Sequence, residues 1–199
     1  MTGIVGLVDY GRSGNLFNVK TALELAGGRV NVVRDADGFQ SLDRIVLPGV
    51  GSFREAMESI GGNREDFIRE MGKRPTLGIC LGMQILSKVG FEFGETAGLG
   101  LIDAEVKRME VKCRVPHLGW GALEILSDSP LLDGVKGSDL FYFMHSYEVV
   151  NYKDVVALTD YCSHKFVSVL QRGSLYGVQF HPEKSRDHGL KVLENFLNL

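Results

Sequence analysis

The chain has 199 residues, 44% of them hydrophobic, which is enough to bury the core of one globular domain. A formal net charge of -3 and an isoelectric point near 6.0 argue against the basic surfaces that bind nucleic acid or anionic membranes, so neither is an expected partner. No apolar run approaches the roughly 20 residues that span a bilayer, and "MTGIVGLVDY" lacks a secretory signal, so we expect a cytoplasmic protein with residues 1–199 as a single domain.

The first half of the chain alternates β-rich runs with helical patterns. The runs "GIVGLVDY", "RVNVVRD" and "RIVLPG" predict strands. Between the first two, apolar residues at helical spacing predict a helix that has Asn15 as its N-cap and Gly27-Gly28 as its stop. Two further helices are predicted at residues 53–60 and 65–71, before a strand at 76–79. This order is typical of parallel βαβ units and of the α/β class.

From about Leu101 the pattern changes to successive strand-like segments with few helices between them. These are "LIDAEVKRM", "LFYFMHSYEVV", "VVALTDY", "FVSVLQRG" and "SLYGVQF", with "QRGSLYG" as a hairpin connection. The final segment, "DHGLKVLENFLNL", predicts an amphipathic helix. We therefore expect a mixed, mostly parallel central sheet that gains antiparallel strands in the C-terminal half.

The three cysteines are Cys80, Cys113 and Cys162. They are widely spaced and odd in number, which in a reducing compartment favours free thiols over a disulfide framework.

Cys80 lies in "GICLG", where a predicted strand passes into a helix. The G-x-nucleophile-x-G form is that of a nucleophile elbow with sulfur in place of the usual serine oxygen, and it presents the side chain at the apex of the turn. Backbone N–H groups at the start of a helix favour a thiolate, and the N–H of Leu81 could stabilise an oxyanion. The alternative is that Cys80 only packs as a small apolar residue, and this stretch alone does not separate the two.

A nucleophilic cysteine needs a base, and "QFHPEKS" offers one. His181 and Glu183 are two residues apart at the end of a predicted strand, so in an extended conformation their side chains project to the same side. Pro182 between them indicates that the strand ladder ends there. An isolated H-x-E is most simply a solvated pair, but together with the cysteine elbow it predicts a catalytic pair.

The stretch "LPGVGSF" ends another predicted strand. Glycines at 49 and 51 let the peptide plane at Val50 rotate at low steric cost, so this loop could aim a backbone N–H at an oxyanion. The same glycines could instead form only a tight turn. The Lys-Ser/Thr ending of a phosphate loop is missing.

With these motifs in place, the sequence resembles the class I, triad-type glutamine amidotransferases and, more narrowly, the glutaminase subunit of imidazole glycerol phosphate synthase. The resemblance runs along essentially the whole chain through "VDYG", "GNL", "LPGVGSF", "LGICLGMQIL", "GLGLI", "PHLGW", "FYFMHSY" and "GVQFHPEKS". It implies a flavodoxin-like fold with helices on both faces of the sheet, and neither a metal nor a cofactor is expected.

The resemblance implies a role for each matching residue. Cys80 attacks the carboxamide of glutamine, His181 relays the proton to the leaving ammonia, and Glu183 orients His181. The oxyanion is held by N–H groups of Leu81 and of the loop Gly49, Val50 and Gly51. The amino-acid end of glutamine is held by Gln84, His145, Ser146 and Tyr147.

The same resemblance implies a heterodimer with a (β/α)₈-barrel cyclase. That partner uses the ammonia to make imidazole glycerol phosphate and aminoimidazole carboxamide ribotide in histidine biosynthesis. Trp120, which follows Gly119 in an expected surface turn, would contact the partner, as would Tyr142 and Lys184; from sequence alone Trp120 could equally be a core aromatic.

Two features depart from the family pattern: "DYGRSGNL" is one residue longer in the first loop, and Gly121 stands where asparagine is usual. These departures bear on the partner and not on the glutaminase chemistry, and together with a fold that other enzymes share they leave three other functions open. The chain could feed ammonia to a different synthase, act as a cysteine hydrolase of the same fold without an ammonia acceptor, or serve as a non-catalytic binding subunit.

Overall fold

A computed structural model describes residues 3–9, 11, 15–49 and 51–199, with the backbone alone at residues 36 and 37. The strands are β1 Ile4–Val8, β2 Arg29–Val33, β3 Arg44–Leu47, β4 Thr76–Ile79, β5 Val89–Gly90, β6 Thr96–Ala97, β7 Glu105–Arg108, β8 His117–Ala122, β9 Glu124–Ile125, β10 Leu140–His145, β11 Tyr147–Val150, β12 Val155–Tyr161, β13 His164–Arg172 and β14 Leu175–Val178. The helices are α1 Leu16–Leu25, α2 Phe53–Ile60, α3 Arg64–Met71, α4 Leu81–Ile85 and α5 Arg186–Leu197.

An eight-stranded sheet in the order β2-β1-β3-β4-β14-β13-β12-β9 organises the chain. Strands β2, β1, β3, β4 and β14 are parallel, whereas β13, β12 and β9 add antiparallel pairs at one side. The predicted mixed, mostly parallel α/β sheet with antiparallel strands from the C-terminal half is therefore confirmed. The β13–β14 hairpin also falls where "QRGSLYG" predicts it.

Helices cover both faces of this sheet because its central strands are apolar on both sides. In β3, Val46 joins the core cluster that contains apolar residues of α1 and α5. Ile45 and Leu47 point the other way, into the cluster that contains those of α2 and α3. Because successive side chains of a strand point to opposite faces of the sheet, this one strand contributes to both core clusters.

The predicted segment "LFYFMHSYEVV" is not one strand. It divides at Ser146, since β10 pairs with β8 in a two-stranded ribbon and β11 pairs with β7 in a four-stranded sheet of order β11-β7-β5-β6. Apolar alternation continues through the break, so the pattern alone does not reveal the change of partner.

The first helix begins and ends where it is predicted, but its N-cap residue makes no capping hydrogen bond. Gly27, at φ +94, and Gly28 donate to the carbonyls of Glu24 and Leu23 in a Schellman motif. Asn15 occupies the N-cap position, but its side chain makes no capping hydrogen bond.

The expectation of three free thiols is wrong. Cys113, in the loop between β7 and β8, forms a disulfide with Cys162 in the β12–β13 turn, and their Cα atoms are 6.3 Å apart. Cys80 is the free, buried thiol among the described cysteines. Sequence spacing missed the pair because positions separated by 49 along the chain return to the same place only after folding. Within the described ranges, no helix has the length and apolarity needed to cross a membrane.

Candidate active site

Cys80 follows β4 directly and occupies a strained backbone conformation, with φ 49° and ψ -103°. The neighbouring glycines make this turn possible. A Cβ on Gly78 would lie 2.6 Å from the backbone of Gly82, and one on Gly82 would collide with the Leu47 carbonyl oxygen. A non-glycine residue with positive φ at a strand-to-helix turn is the backbone signature of a nucleophile elbow.

His181 and Glu183 meet through a short 3₁₀ turn at Pro182–Lys184 rather than along an extended strand. The predicted proximity is therefore correct and its predicted geometry is wrong. His181 Nδ1 lies 2.8 Å from Glu183 Oε1, and both side chains are fully buried. The amide nitrogen of Asn15 donates to the same carboxylate oxygen, while its Oδ1, the atom that would cap the helix, accepts from Asn18 Nδ2 at 2.7 Å.

The electrostatics of His181 favour its protonated form. Burial alone lowers the pKa of His181, but Cys80 and Glu183 raise it, by charge and by hydrogen bonding, to about 10. The carboxylate occupies the Nδ1 side of the ring. The contact with Cys80 therefore falls to Nε2, which is buried and has no other partner within the described part of the chain.

The backbone of His181 is fixed from the neighbouring ribbon. Its N–H donates to the Tyr142 carbonyl oxygen at 2.8 Å, and its own carbonyl accepts from Ser185 Oγ at 2.6 Å. Ser185 Oγ in turn accepts from the Tyr142 N–H at 2.9 Å. The histidine is therefore tied to β10, the strand that carries Tyr142.

The loop after β3 packs against the elbow. A Cβ on Gly49 would lie 2.8 Å from the Cβ of Cys80, so the loop approaches Cys80 more closely than a side chain on residue 49 would permit. Gly51 has φ +122, a conformation that glycine adopts without strain. Val50, which is predicted to contribute an oxyanion donor, lies outside the described residues.

A pocket of about 240 Å³ opens in front of Cys80. That volume is below the roughly 300 to 1,000 Å³ of sites for drug-sized ligands, and it suits a small molecule. Glu92 brings a carboxylate to the pocket wall while its Oε2 accepts from the N–H of Phe53 at 2.7 Å. The pocket is lined by Gly49, Gly51, Cys80, Leu81, Gln84, Glu92, Pro116, Met144, His145, Ser146 and Tyr147.

Gln84 reaches this pocket as predicted, but its amide nitrogen is already engaged. It donates to the Tyr147 carbonyl oxygen at 2.9 Å and to Gln179 Oε1 at 3.2 Å. Any bond from Gln84 to a ligand would therefore use its oxygen.

His145 is buried and neutral. Burial lowers the pKa of His145 to about 3, despite a hydrogen bond between its Nδ1 and the Tyr147 carbonyl oxygen at 2.9 Å. Because that carbonyl can only accept, Nδ1 carries the proton, and Nε2 is left as an acceptor without a partner among the described atoms.

The three residues predicted to contact a partner lie together on a different surface. Trp120 is not in a turn but in β8, opposite Tyr142 on β10, and it is 42% exposed. The two rings meet edge to face at 5.6 Å, with Lys184 over Tyr142 and the guanidinium of Arg186 over Trp120. The alternative of Trp120 as a core residue is wrong, because its side chain packs at the surface.

Gly121 lies in the same ribbon, but it points inward. A Cβ there would lie 2.8 Å from Thr159 Cγ2 and 3.1 Å from the Phe143 ring. The glycine that stands in place of the family's asparagine therefore occupies a tightly packed position beneath the ribbon. The other departure, in the first loop, involves residues 12–14, which lie outside the described ranges.

Sequence reasoning missed Gln179, Glu92, Ser185, Arg186 and the bond from Asn15 to Glu183. The sequence does contain an indication of Gln179. It lies two residues before His181, and in a strand residues two apart project to the same side. No sequence pattern indicates Glu92, since it reaches the pocket from the segment that joins β5 to β6.

Comparison with protein families decides the classification. The family model described as glutamine amidotransferase class-I matches residues 7–199. The chain belongs to the class I glutamine amidotransferases. Similar relatives include imidazole glycerol phosphate synthase subunit HisH 1 of Campylobacter jejuni, 41% identical over 204 residues that cover 98% of this chain and all of that protein. The HisH subunit of Methanocaldococcus jannaschii is 39% identical over 198 residues, with the same coverage.

Solved structures show the same fold as this amidotransferase. The structure of PurLQS from Thermotoga maritima superimposes with a TM-score of 0.79 at 19% identity, covering all of this chain and 99% of the other. A glutamine amidotransferase, also from Thermotoga maritima, gives a TM-score of 0.68 at 18% identity, covering 92% of this chain and 77% of the other.

Proposed function

We propose that this amidotransferase is the glutamine-hydrolysing subunit of an imidazole glycerol phosphate synthase in histidine biosynthesis. The observation that carries the proposal is the buried Cys80, His181 and Glu183 group behind a small pocket, in a chain about 40% identical to HisH subunits over nearly its full length. The reaction converts glutamine and water to glutamate and ammonia.

In the first half of the reaction, the Cys80 thiolate attacks the carboxamide carbon of glutamine. The C=O electron pair moves onto oxygen, where N–H groups at Leu81 and in the loop at Gly49 to Gly51 would stabilise it. His181, protonated at Nε2, donates that proton to the leaving nitrogen, so ammonia departs and a γ-glutamyl thioester remains. The raised pKa of His181 supports this role, since Cys80 and Glu183 hold the proton on the ring.

In the second half, neutral His181 takes a proton from water as the oxygen attacks the thioester carbon. The C–S bond breaks, glutamate leaves, and the proton on His181 again pairs with the thiolate. Glu183 keeps Nδ1 protonated throughout, so that Nε2 is always the nitrogen that faces the reacting atoms.

The pocket supplies complementary groups for the amino-acid end of glutamine. Its α-ammonium would pair with the Glu92 carboxylate and with the Gln84 oxygen. Its α-carboxylate would lie by the segment His145 to Tyr147, where the Ser146 side chain can donate. The unpartnered His145 Nε2 can only accept, so it suits an N–H of the substrate.

A (β/α)₈-barrel cyclase is the proposed partner, and it would take up the ammonia. The exposed apolar side chains Leu118, Trp120 and Leu140 lie on the β8–β10 ribbon beside the cations Lys184 and Arg186, which favours a partner surface with apolar and acidic residues. The backbone hydrogen bond from His181 to Tyr142, with the bridge through Ser185 Oγ, connects this surface to the catalytic base. The ribbon packs on the same core as the main sheet, which supports a single domain, and the biosynthetic role supports a cytoplasmic location.

The test is glutamate release from glutamine by the purified chain, alone and with the cyclase from the same genome plus its nucleotide ligand. We expect stimulation by the liganded cyclase and loss of activity in Cys80→Ala. Ser41→Ala, an exposed change outside the pocket, is the matched control. Glutaminase activity that the cyclase does not change would indicate that a different synthase is the partner. No glutaminase activity in either condition would favour a hydrolase or a non-catalytic protein.

A further inference from the structure

We propose that Gln179 is a positioning residue for the nucleophile, and this inference rests on the proposed function. Its side-chain amide donates a hydrogen bond to Cys80 and stabilises negative charge on the sulfur. Gln179 follows β14 and is fully buried, with Nε2 3.4 Å from Cys80 Sγ. Its backbone N–H is fixed by the Ser168 carbonyl oxygen at 2.9 Å, so the side chain starts from a rigid position.

The direction of this hydrogen bond follows from its neighbours. The backbone carbonyl of Tyr147 can only accept, so the end of Gln84 that lies 2.9 Å from it must be the amide nitrogen. The same nitrogen lies 3.2 Å from Gln179, which must therefore present its oxygen there. The remaining end of Gln179, its NH₂ group, faces the sulfur as a donor.

A donor at this place matters because water is largely excluded. Cys80 is only 6% exposed, so a thiolate formed there must be stabilised by protein groups. His181 supplies a cation, and Gln179 supplies an N–H, which is a stronger partner for a charged acceptor than for a neutral one. The amide also links the sulfur to Gln84 in the pocket, so one hydrogen-bonded chain joins the nucleophile to the substrate site.

The test is the pH dependence of Cys80 alkylation by iodoacetamide, followed at the Cys80 peptide by mass spectrometry in the full-length chain. Gln179→Met keeps the length of the side chain and removes the donor. We expect the midpoint of the alkylation profile to rise by about one pH unit, because one charged hydrogen bond is lost, and the rate at pH values well below the midpoint to fall about tenfold. In the presence of the cyclase, kcat should fall by a similar factor. Gln171→Met, at a partly exposed glutamine of β13 that donates to the Gly173 carbonyl, is the matched control and should change neither.

An unchanged midpoint in folded Gln179→Met would overturn the inference and show that the amide only fills space. If that variant does not fold, Gln179→Leu also removes the donor without adding a charge, and an unchanged midpoint there would overturn the inference equally. The alkylation profile requires no glutamine turnover. A shifted midpoint in a chain without glutaminase activity would therefore contradict the proposed function while leaving the role of Gln179 intact.

Discussion

Glu183 Oε1 lies 2.8 Å from His181 Nδ1 across a single 3₁₀ turn, and neither side chain is exposed to solvent. The turn places the carboxylate on the Nδ1 side of the ring, and Asn15 holds it there from the start of α1. This pairing fixes which nitrogen of the histidine faces Cys80.

Glu183→Gln is expected to lower kcat/KM for glutamine by about 100-fold or more, because it removes the charge that stabilises the imidazolium of His181. The pKa of His181 should fall from about 10, since one of the groups that raise it is lost. Steady-state kinetics with the cyclase and the histidine NMR titration measure the two effects. Glu194→Gln, an exposed change in α5, is the control. Activity near that of the control would show that Glu183 does not orient the base.

The stability of the chain should decrease as the pH falls below about 6.5, in part because of His145. Burial lowers the pKa of His145 to about 3, so below pH 6.5 the unfolded chain binds a proton there that the folded chain excludes. Above pH 6.5, His145 does not make the free energy of unfolding depend on pH. Between pH 6.5 and 3, it lowers that free energy by at most about 1.4 kcal/mol for each pH unit of acidification. Urea unfolding at about pH 4 to 8 measures it.

The comparison variants for this slope are His145→Gln and Lys191→Gln. His145→Gln should flatten the slope, whereas Lys191→Gln, an exposed change in α5, should leave it unchanged. Equal slopes in the wild type and in His145→Gln would show that the buried imidazole is not the cause.

The disulfide between Cys113 and Cys162 should contribute to stability under oxidising conditions. It closes a loop with a sequence separation of 49, and removing such a bridge by Cys113→Ser is expected to lower the free energy of unfolding by about 2 to 4 kcal/mol. Urea unfolding with and without reductant measures this: reductant should lower the stability of the wild type and leave Cys113→Ser unchanged. Three titratable thiols in the unreduced wild type would contradict the bridge.

Trp120→Ala should weaken binding of the proposed cyclase partner by about 2 kcal/mol, roughly 30-fold in Kd, because a half-exposed tryptophan beside Tyr142 and Arg186 has the composition of an interface hot spot. Calorimetric titration gives the affinity, and far-UV circular dichroism and thermal unfolding should change little. Leu126→Ala, at a 51% exposed side chain next to the edge strand β9, is the control. Unchanged affinity, or a large loss of stability in the isolated chain, would argue against the interface.

Much of the fold could be predicted from short-range patterns. Apolar periodicity in the sequence matches several elements of the structure, and the apolar residues that form the pattern are buried in the fold. These elements are the helices at residues 53–60 and 64–71, the strands at 76–79 and 155–161 and the final helix. The break at Ser146 could not be predicted, because β10 and β11 have one continuous pattern and differ only in the strands they pair with.

The chemical groups of the candidate site could be read from the sequence alone: a cysteine framed by glycines, and a histidine and a carboxylate two residues apart. These are local motifs, and residues so close along the chain remain close in the fold. Which residues surround these groups could be determined only from the folded chain. Gln179, Asn15 and Glu92 reach the candidate site from the end of β14, the start of α1 and the β5–β6 segment, and Cys113 meets Cys162 across a separation of 49 residues. Such contacts depend on which strands become neighbours, and that choice is made by the packing of the whole core rather than by any one segment of sequence.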